Sequence, residues 1–297
     1  MQNQTGLVSI IVPAYNAGDF IEETVRSIYD QTYEKWELII VNDGSTDNTS
    51  KIARSFHDAR VHAIDQSNAG VAAARNNGFP YARGEFIVYF DADDVMTPEF
   101  LEERVNALRR EPAIGFVGGL FQPFPVKENT RVPAAIDPEN EILFSRPSFS
   151  TGPSTYMFRT KILADNNIKF NEKLSSTADR FFILEVAKYA KGKTIGEKGQ
   201  LLYRVSAQSM SNSLTPKLMI DNERFYYELK ERNLLPNSRK REFKSAYFLS
   251  LAKGFGMVHI WKRTAKYLAM SFFSHPVLFI RDFGKSFFKV FRTSKSK

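Results

Sequence analysis

Three carboxylates stand within four positions, at Asp91, Asp93 and Asp94, directly after the apolar run 86–90. Neighbouring carboxylates repel one another and raise one another's pKa. A hard divalent cation such as Mg²⁺ or Mn²⁺ relieves that repulsion, because it prefers oxygen ligands and completes its shell with water and a diphosphate. Asp91 and Asp93 are therefore candidate metal ligands. The alternative is a solvated acidic turn that caps the next helix, since Asp-x-Asp is common by chance.

The elements that must position this cluster alternate along the first hundred residues. Apolar runs predict strands at 7–12, 36–41, 61–64 and 86–90. Helical spacing and helix-start signals predict helices at 19–31, 46–56, 69–79 and 97–110, the last with Pro98 at its first position. Strands separated by helices imply right-handed crossovers, so the sequence predicts an α/β fold with a mostly parallel, Rossmann-like sheet.

Polar loops follow all four predicted strands, at 13–16, 42–47, 65–70 and 91–94. A single Asn-Asp-Gly, as at 42–44, would simply be a turn. In an open parallel sheet, however, ligands bind beyond the carboxyl ends of the strands. Four polar loops at one edge are better explained by a binding site.

The rest of the chain divides into two further parts. Five prolines between 112 and 153 predict irregular chain that forms a flap. Strands are predicted at 155–158 and 200–203, a helix at 179–189, and mostly helix beyond Pro216. The predicted parts are an α/β half at 1–110, a second half at 111–215 and a helical C-terminal region at 216–297.

Taken in order, four segments resemble the signature of family 2 glycosyltransferases. They are 12–16, 41–47, 68–70 with 74–78, and 91–94. The resemblance is dense over 8–98, thinner to about residue 211 and absent beyond. It implies a GT-A fold, in which 1–110 is the nucleotide-binding half and 111–215 is the acceptor-side half. It also implies transfer of one sugar from a nucleoside diphosphate donor, with inversion at the anomeric carbon.

The resemblance also implies roles for individual residues. Asp43 would hydrogen-bond the nucleobase, usually uracil, and Asp93 would hold Mn²⁺ or Mg²⁺ on the diphosphate. Asp91 would face the ribose or a metal-bound water. The remaining nucleotide-binding residues would be Pro13, Tyr15, Asn16, Asn68, Gly70 and Arg75.

The implied catalytic base is Asp179. The family usually has an acidic dipeptide at this place, and here the first position is Ala178. One carboxylate opposite the leaving diphosphate suffices to take the acceptor proton, so Ala178 does not rule out activity. A helix-capping role for Asp179 is compatible with catalysis, and Glu172 and Asp165 are the next candidates. The His that the family often adds after Tyr-Arg is missing after Arg204, as is the Gln-x-x-Arg-Trp motif of processive relatives.

Composition limits the other possibilities. The chain has 297 residues and no cysteine, so it has neither disulfides nor thiolate metal ligands. We see no signal peptide and no apolar run of the roughly 18 residues that span a membrane. No Gly-x-Gly-x-x-Gly or Gly-x-x-x-x-Gly-Lys occurs, which argues against a dehydrogenase and a P-loop kinase. We therefore expect a cytoplasmic protein.

The net charge of +8 lies entirely in residues 262–297, which hold nine Lys or Arg and one Asp. Uncharged residues fill 267–280, and phenylalanines alternate with cations beyond them. Cations beside aromatic residues suit an anionic membrane surface better than nucleic acid. We therefore expect peripheral attachment at the inner face of the cell membrane and a saccharide or lipid-linked saccharide acceptor. The alternative is a packed helical hairpin with a solvated basic end.

Two other functions stay open from the sequence. A sugar-nucleotide pyrophosphorylase shares the α/β half, but it needs a Gly-rich, basic loop after strand one, where this chain has 13–16. A catalytically inactive nucleotide-sugar binding module is favoured by Ala178 and by the missing His. Donor hydrolysis by the purified protein would distinguish the module from an enzyme.

Overall fold

The computed structural model describes residues 4–124, 132–143, 150–196, 201–205 and 214–283. The chain forms two compact units, Met1–Ser209 and Met210–Lys297. The predicted boundary between the nucleotide-binding and acceptor-side halves, at 110/111, lies inside the first unit. This division by function stays a prediction.

The first unit contains eleven strands in its described ranges. They are β1 (Gln4–Ala14), β2 (Trp36–Asp43), β3 (Val61–Gln66), β4 (Gly84–Tyr89), β5 (Val95–Met96), β6 (Ile114–Gly118), β7 (Leu120–Phe124), β8 (Val132–Pro133), β9 (Tyr156–Arg159), β10 (Lys191–Thr194) and β11 (Leu201–Arg204). Its helices are α1 (Ile21–Tyr29), α2 (Thr49–Ala53), α3 (Val71–Gly78), α4 (Phe100–Arg110), α5 (Thr160–Asp165) and α6 (Ala178–Tyr189).

Seven strands form a central sheet in the order β10-β6-β9-β4-β1-β2-β3. Strands β4, β1, β2 and β3 run parallel to one another, and β9 is antiparallel to both of its neighbours, β4 and β6. Every residue of β2 is buried, as expected for a strand covered on both faces. The predicted α/β fold with a mostly parallel sheet is confirmed.

The strand order fixes where a ligand can bind. The chain moves outward from β1 to β2 and β3, then returns to place β4 on the other side of β1. This reversal creates a crevice beyond the carboxyl ends of β1 and β4, which is the usual ligand site of open α/β sheets. The loop after β1 and the acidic residues 91–94 flank that crevice.

Two helix predictions were too long at their first turn. Helix α2 begins at Thr49 rather than at residue 46, because the Asp47 carboxylate accepts a hydrogen bond from the Thr49 amide at 3.0 Å. Helix α4 begins at Phe100, so Pro98 is not its first residue. Instead the Pro98 carbonyl accepts a hydrogen bond from the Thr32 amide at 2.9 Å, which holds the preceding turn in place.

The prediction of an irregular flap over 112–153 was wrong in part. Strand β6 joins the central sheet, and β7 and β8 join a second sheet in the order β5-β11-β7-β8. A π-helical segment, Pro138–Leu143, follows. Prolines mask the alternation that marks strands, yet Pro123 and Pro133 lie within β7 and β8. The parts of this stretch at 125–131 and 144–149 lie outside the described residues.

The second unit contains three long helices in its described range, α7 (Pro216–Glu231), α8 (Lys240–Met257) and α9 (Trp261–Ser274). The Thr215 hydroxyl caps α7 by accepting a hydrogen bond from the Leu218 amide at 3.1 Å. In α9, Tyr267 and Ser271 are fully buried, and the Ser271 hydroxyl donates to the Ser245 carbonyl of α8 at 2.8 Å. Residues 276–283 are also helical.

This packing includes the first part of the C-terminal tail. Residues 262–274 belong to α9, which contributes buried side chains to the second unit. Membrane attachment of the tail stays a prediction. Within the described ranges, no helix is both long enough and apolar enough to cross a membrane. The basic and aromatic end at 284–297 lies outside the described residues.

Candidate active site

The loops after β1 and β2 hold each other in place. The Asn16 carboxamide oxygen accepts a hydrogen bond from the Thr46 amide at 2.8 Å, and the Asn16 amide donates to the Ser45 hydroxyl at 3.0 Å. Asn16 has a φ of 49°, a conformation that asparagine tolerates better than most residues. Tyr15 is left 53% exposed beside it, so its ring is free to contact a ligand.

Asp43 is buried and organises the loop after β3. Its carboxylate accepts hydrogen bonds from the Ala69 amide at 2.7 Å and the Gly70 amide at 2.8 Å, and a third from the Gln66 side chain at 2.8 Å. The implied contact with a nucleobase stays a prediction. The structure gives Asp43 a second role, which is to fix the backbone just before α3.

Gly70 begins α3 with a φ of 92°, a backbone conformation that side chains with a Cβ rarely adopt. Gly44 lies so close to Asn68 that a Cβ at residue 44 would clash with the backbone of Asn68. Both glycines are therefore required by geometry. Asn68 itself is exposed at the edge of the crevice, where a ligand can reach it.

Arg75 joins the two halves of the predicted site. Its guanidinium forms ion pairs with Asp91 and with Asp179, each at 2.6 Å. Arg75 is only 2% exposed, whereas the two carboxylates are 31% and 29% exposed. Although burial opposes its charge, Asp179 and Asp91 raise the pKa of Arg75, so the guanidinium stays cationic. The candidate base and the acidic loop, 88 positions apart in sequence, thus meet on one buried cation.

The electrostatics of Asp179 reflect opposing effects. Burial raises its pKa, Arg75 lowers it, and the negative charge of Asp91 raises it again, so the net direction is upward. Asp179 lies in the first turn of α6. Its neighbour Arg180 donates from Nε to the Ile142 carbonyl at 2.8 Å and also bonds the Leu143 carbonyl, which ties the π-helical segment to the start of α6.

The other base candidates lie in less suitable positions. Asp165 is exposed in α5 and forms an ion pair with Lys161 one helical turn away, at 2.8 Å. Glu172 is also exposed and accepts a hydrogen bond from Asn76 at 2.8 Å. Of these three acids, Asp179 is the one that is joined to the acidic loop.

The acidic loop is anchored from the second sheet. The Arg204 side chain donates to the Asp93 carbonyl at 2.9 Å, and the Arg204 amide donates to Asp94 Oδ1 at 3.1 Å. The Ser154 hydroxyl accepts a hydrogen bond from the Asp91 amide at 3.1 Å. Asp94 therefore does not cap the next helix, as the alternative interpretation of the acidic turn required; it orders the end of β11.

Three residues that organise the site were missed by the sequence analysis. Ser154 stands in the proline-rich stretch without a motif, and Arg180 follows the candidate base without one. Arg204 belongs to a Tyr-Arg pair that was noted only for the His missing after it. That segment, 206–211, lies outside the described residues.

The acidic loop suits a hard divalent cation. Burial, together with the charge of Asp91, raises the pKa of Asp93 to about 6, which indicates crowded carboxylates. The buried Oδ2 of Asp94 has no hydrogen-bond partner within the described ranges. No complete set of three or more His, Asp or Glu ligands is found in those ranges. Mg²⁺ and Mn²⁺ need no such set when a substrate diphosphate and water supply the other ligands, so Asp91 and Asp93 fit.

The chain also resembles known proteins. Residues 9–172 match the model of Glycosyl transferase family 2. The glycosyltransferase EpsJ of Bacillus subtilis is 30% identical over 219 residues, which cover 69% of this chain and 63% of EpsJ. A β-1,3-glucosyltransferase of Escherichia coli, WfgD, which uses UDP-Glc and α-D-GlcNAc-diphosphoundecaprenol, is 38% identical over 117 residues, 39% of this chain and 46% of WfgD. The matched region is thus less than two thirds of either relative.

Solved structures share the fold. Residues 1–349 of Staphylococcus aureus TarS, in complex with UDP-GlcNAc, superpose with a TM-score of 0.66 and 20% identity, covering 89% of this chain and 81% of that TarS fragment. A mannosyltransferase of Pyrobaculum calidifontis, in complex with GDP-Man and Mn²⁺, has a TM-score of 0.56 at 19% identity, covering 96% and 82%. The GT-A fold agrees with the strand order of the central sheet. With the family model matched over more than half of its length, this chain belongs to the family 2 glycosyltransferases.

Proposed function

We propose that this protein is an inverting, metal-dependent glycosyltransferase that moves one sugar from a nucleoside diphosphate donor to a hydroxyl group of a saccharide or lipid-linked saccharide. One observation carries the proposal: Arg75 brings Asp91 of the donor-side loop and Asp179 of the acceptor side into one cleft, with 2.6 Å ion pairs to both. An inverting transfer needs a donor phosphate site and a carboxylate base within one cleft.

The donor we propose is a UDP-sugar. WfgD acts with UDP-Glc, and TarS binds UDP-GlcNAc. The base and ribose would lie against Pro13, Tyr15 and Asn16, and Asp43 would reach the uracil. Asn68 and Gly70 complete the set proposed to contact the nucleotide, with Asp91 near the ribose and Arg75 paired behind Asp91.

Asp93, with Asp91, would hold Mn²⁺ or Mg²⁺. When bound, the ion neutralises charge on the diphosphate as that group leaves the sugar. The protein contributes two crowded carboxylates, which favour cation binding. Arg204 fixes their loop through its hydrogen bond to the Asp93 carbonyl. These residues orient the donor so that its anomeric carbon faces the acceptor side.

Asp179 would act as the general base. It takes the proton of the acceptor hydroxyl while that oxygen bonds to the anomeric carbon, and the bond from this carbon to the diphosphate oxygen breaks. Because attack comes from the side opposite the leaving group, the configuration inverts. The raised pKa of Asp179 suits it to accept this proton better than a fully solvated aspartate does.

We further propose that the acceptor is met at the cytoplasmic face of a membrane, in surface polysaccharide assembly. WfgD, by its name, uses a diphosphoundecaprenol-linked acceptor. In the second unit, Phe273 of α9 is 77% exposed, and Val277 and Ile280 of the helical segment 276–283 are 72% and 66% exposed. The excess positive charge of residues 262–297 adds attraction to anionic lipid.

A panel of nucleotide sugars with and without Mn²⁺ or Mg²⁺ tests this function. We expect metal-dependent thermal stabilisation by a UDP-sugar, and UDP release that rises when a saccharide or polyprenyl-diphosphate-linked saccharide is added. Stabilisation with no UDP release from any donor would identify an inactive binding module. Formation of a nucleotide sugar from UTP and a sugar phosphate would identify a pyrophosphorylase instead.

A further inference from the structure

Arg75 occupies an unusual position for a residue expected to contact a nucleotide. It projects from α3 and is only 2% exposed, behind two carboxylates that are each about a third exposed to the cleft. A ligand in the cleft therefore meets Asp91 and Asp179 before it meets the guanidinium. The role implied by the family resemblance, a cation beside the nucleotide, does not account for this burial.

The guanidinium is fixed on its other side by aromatic packing. It lies 4.9 Å from the centre of the Phe170 ring, which stacks on Phe182 at 4.0 Å and meets the edge of Tyr89 at 4.8 Å. A planar cation held between a ring and two carboxylates has little freedom to turn. The Arg75 side chain is therefore held rigidly in place, unlike an arginine that moves to bind a phosphate.

Arg75 binds each of the two carboxylates through only one of its oxygens. Arg75 Nη1 donates to Asp179 Oδ1 and Nη2 donates to Asp91 Oδ1, and each bond is 2.6 Å long. Within the described ranges, the hydrogen bonds found for these two side chains all use Oδ1. Because each carboxylate is also about a third exposed, its second oxygen is available to a ligand.

On the basis of the proposed function, we infer that Arg75 is a positioning residue that holds the base Asp179 and the donor-site acid Asp91 in one fixed register. Its bond to Oδ1 aims Asp179 Oδ2 at the acceptor hydroxyl, which loses its proton to that oxygen as its own oxygen bonds to the anomeric carbon. The same guanidinium fixes the side chain that faces the donor. Burial raises the pKa of Asp179, and the positive charge of Arg75 opposes that effect.

Steady-state kinetics of Arg75→Lys and Arg75→Met, with the donor Kd measured in parallel, test this role. We expect Arg75→Met to lower kcat by about 10²-fold, comparable to loss of a general base, while the donor Kd changes less than about threefold. Arg75→Lys keeps one positive charge but bonds only one acid well, so it should restore part of kcat. Arg83→Met is the matched control, because Arg83 also pairs with a carboxylate, that of Glu37, away from the cleft.

A double-mutant cycle with Asp179→Asn decides between positioning and independent roles. If Arg75 acts through Asp179, adding Arg75→Lys to Asp179→Asn should lower kcat less than about threefold further. The inference would be overturned if the losses in kcat of the two single variants multiply in the double variant, or if the donor Kd rises in proportion to the fall in kcat. Arg75→Lys keeps the test decisive if Arg75→Met does not fold. A wild-type protein without transfer activity would instead refute the proposed function, whereas an active wild type with multiplying losses refutes only this role.

Discussion

At the scale of single residues, the site is a set of charges that would be unstable apart. Arg75 buries a guanidinium that needs both of its acid partners, because an uncompensated buried charge costs several kcal/mol. Burial, and then the negative charge of Asp91, raises the pKa of Asp93 and of Asp94, so added positive charge would stabilise the ionised loop. A cation bound to the donor diphosphate would neutralise the negative charge of these carboxylates.

Asp179→Asn should separate chemistry from binding. The amide keeps the shape of the side chain but cannot accept a proton, so transfer should fall by about 10²-fold or more while UDP-sugar affinity is kept. Calorimetry for binding and UDP release for turnover measure the two effects. Asp165→Asn is the control, since Asp165 pairs with Lys161 on the surface of α5. Normal transfer by Asp179→Asn would move the base elsewhere, and Glu172→Gln would then be tested next.

The pH dependence of donor binding should reveal Asp93. Its pKa is raised to about 6 in the free protein, first by burial and then by Asp91, and only the ionised form binds a cation. As pH falls through 6, protons compete with Mn²⁺, and the affinity for UDP-GlcNAc should drop by up to about tenfold per pH unit. This donor is suitable because its diphosphate does not titrate in that range. The same titration in EDTA is the control, and an Mn²⁺-dependent affinity that is constant down to about pH 5 would contradict the assignment.

The sequence identified the acids but not the pairing that joins them. Asp91 and Asp93 could be chosen because they follow a predicted strand, and Asp179 could be chosen because its segment resembles the acidic dipeptide of the family. The pairing of Arg75 with both acids could not, since it depends on which face of α3 points toward the crevice and on contacts between residues 104 positions apart. Long-range pairings of this kind leave no local pattern.

At the scale of elements, the loop after β3 depends on Asp43. Replacing Asp43 with Ala removes acceptors for the Ala69 and Gly70 amides, and it also removes the proposed partner of uracil. We expect UDP and free uridine to lose affinity alike, because neither effect involves the phosphates. Asp58→Ala is a control, as Asp58 pairs with Arg60 outside these loops. Unchanged UDP affinity would leave Asp43 with no role in binding.

Elements with strong patterns were predicted well, and those set by tertiary contacts were not. The apolar runs of β1, β2 and β4 and the helix α6 follow directly from hydrophobic spacing. Strand β7 was missed because its pairing with β11 comes from a distant part of the chain and tolerates Pro123. Helix α4 starts late because the Pro98 carbonyl bonds Thr32, a contact invisible in the local sequence.

At the scale of the whole molecule, the two units suggest separate tests of catalysis and attachment. All residues of the proposed donor and base sites lie in the unit Met1–Ser209. The net charge and the exposed apolar residues Phe273, Val277 and Ile280 lie in the other unit. Removing α9 would expose partners of the buried Tyr267, so a useful truncation must spare that helix.

A protein that lacks residues 284–297 should bind anionic liposomes more weakly than the full chain, because five Lys or Arg are lost. Binding of the full chain should weaken as salt rises, since charges are screened beyond about 8 Å at physiological ionic strength. Substituting Phe273, Val277 and Ile280 together with Ser should remove the salt-resistant part of the binding. Co-sedimentation measures both effects, with neutral liposomes and retained UDP binding as controls. No sedimentation of the full chain with anionic liposomes at low salt would refute membrane attachment.

The most direct test of the proposed mechanism is UDP release from the best UDP-sugar by the wild type and by Asp93→Ala, measured with acceptor and saturating Mn²⁺. We expect metal-dependent release by the wild type and loss of both release and Mn²⁺-dependent donor binding in Asp93→Ala. Asp30→Ala, which removes an exposed acid at the end of α1, should behave as the wild type. Undiminished turnover by Asp93→Ala would contradict the assignment of the acidic loop, and with it the proposed mechanism.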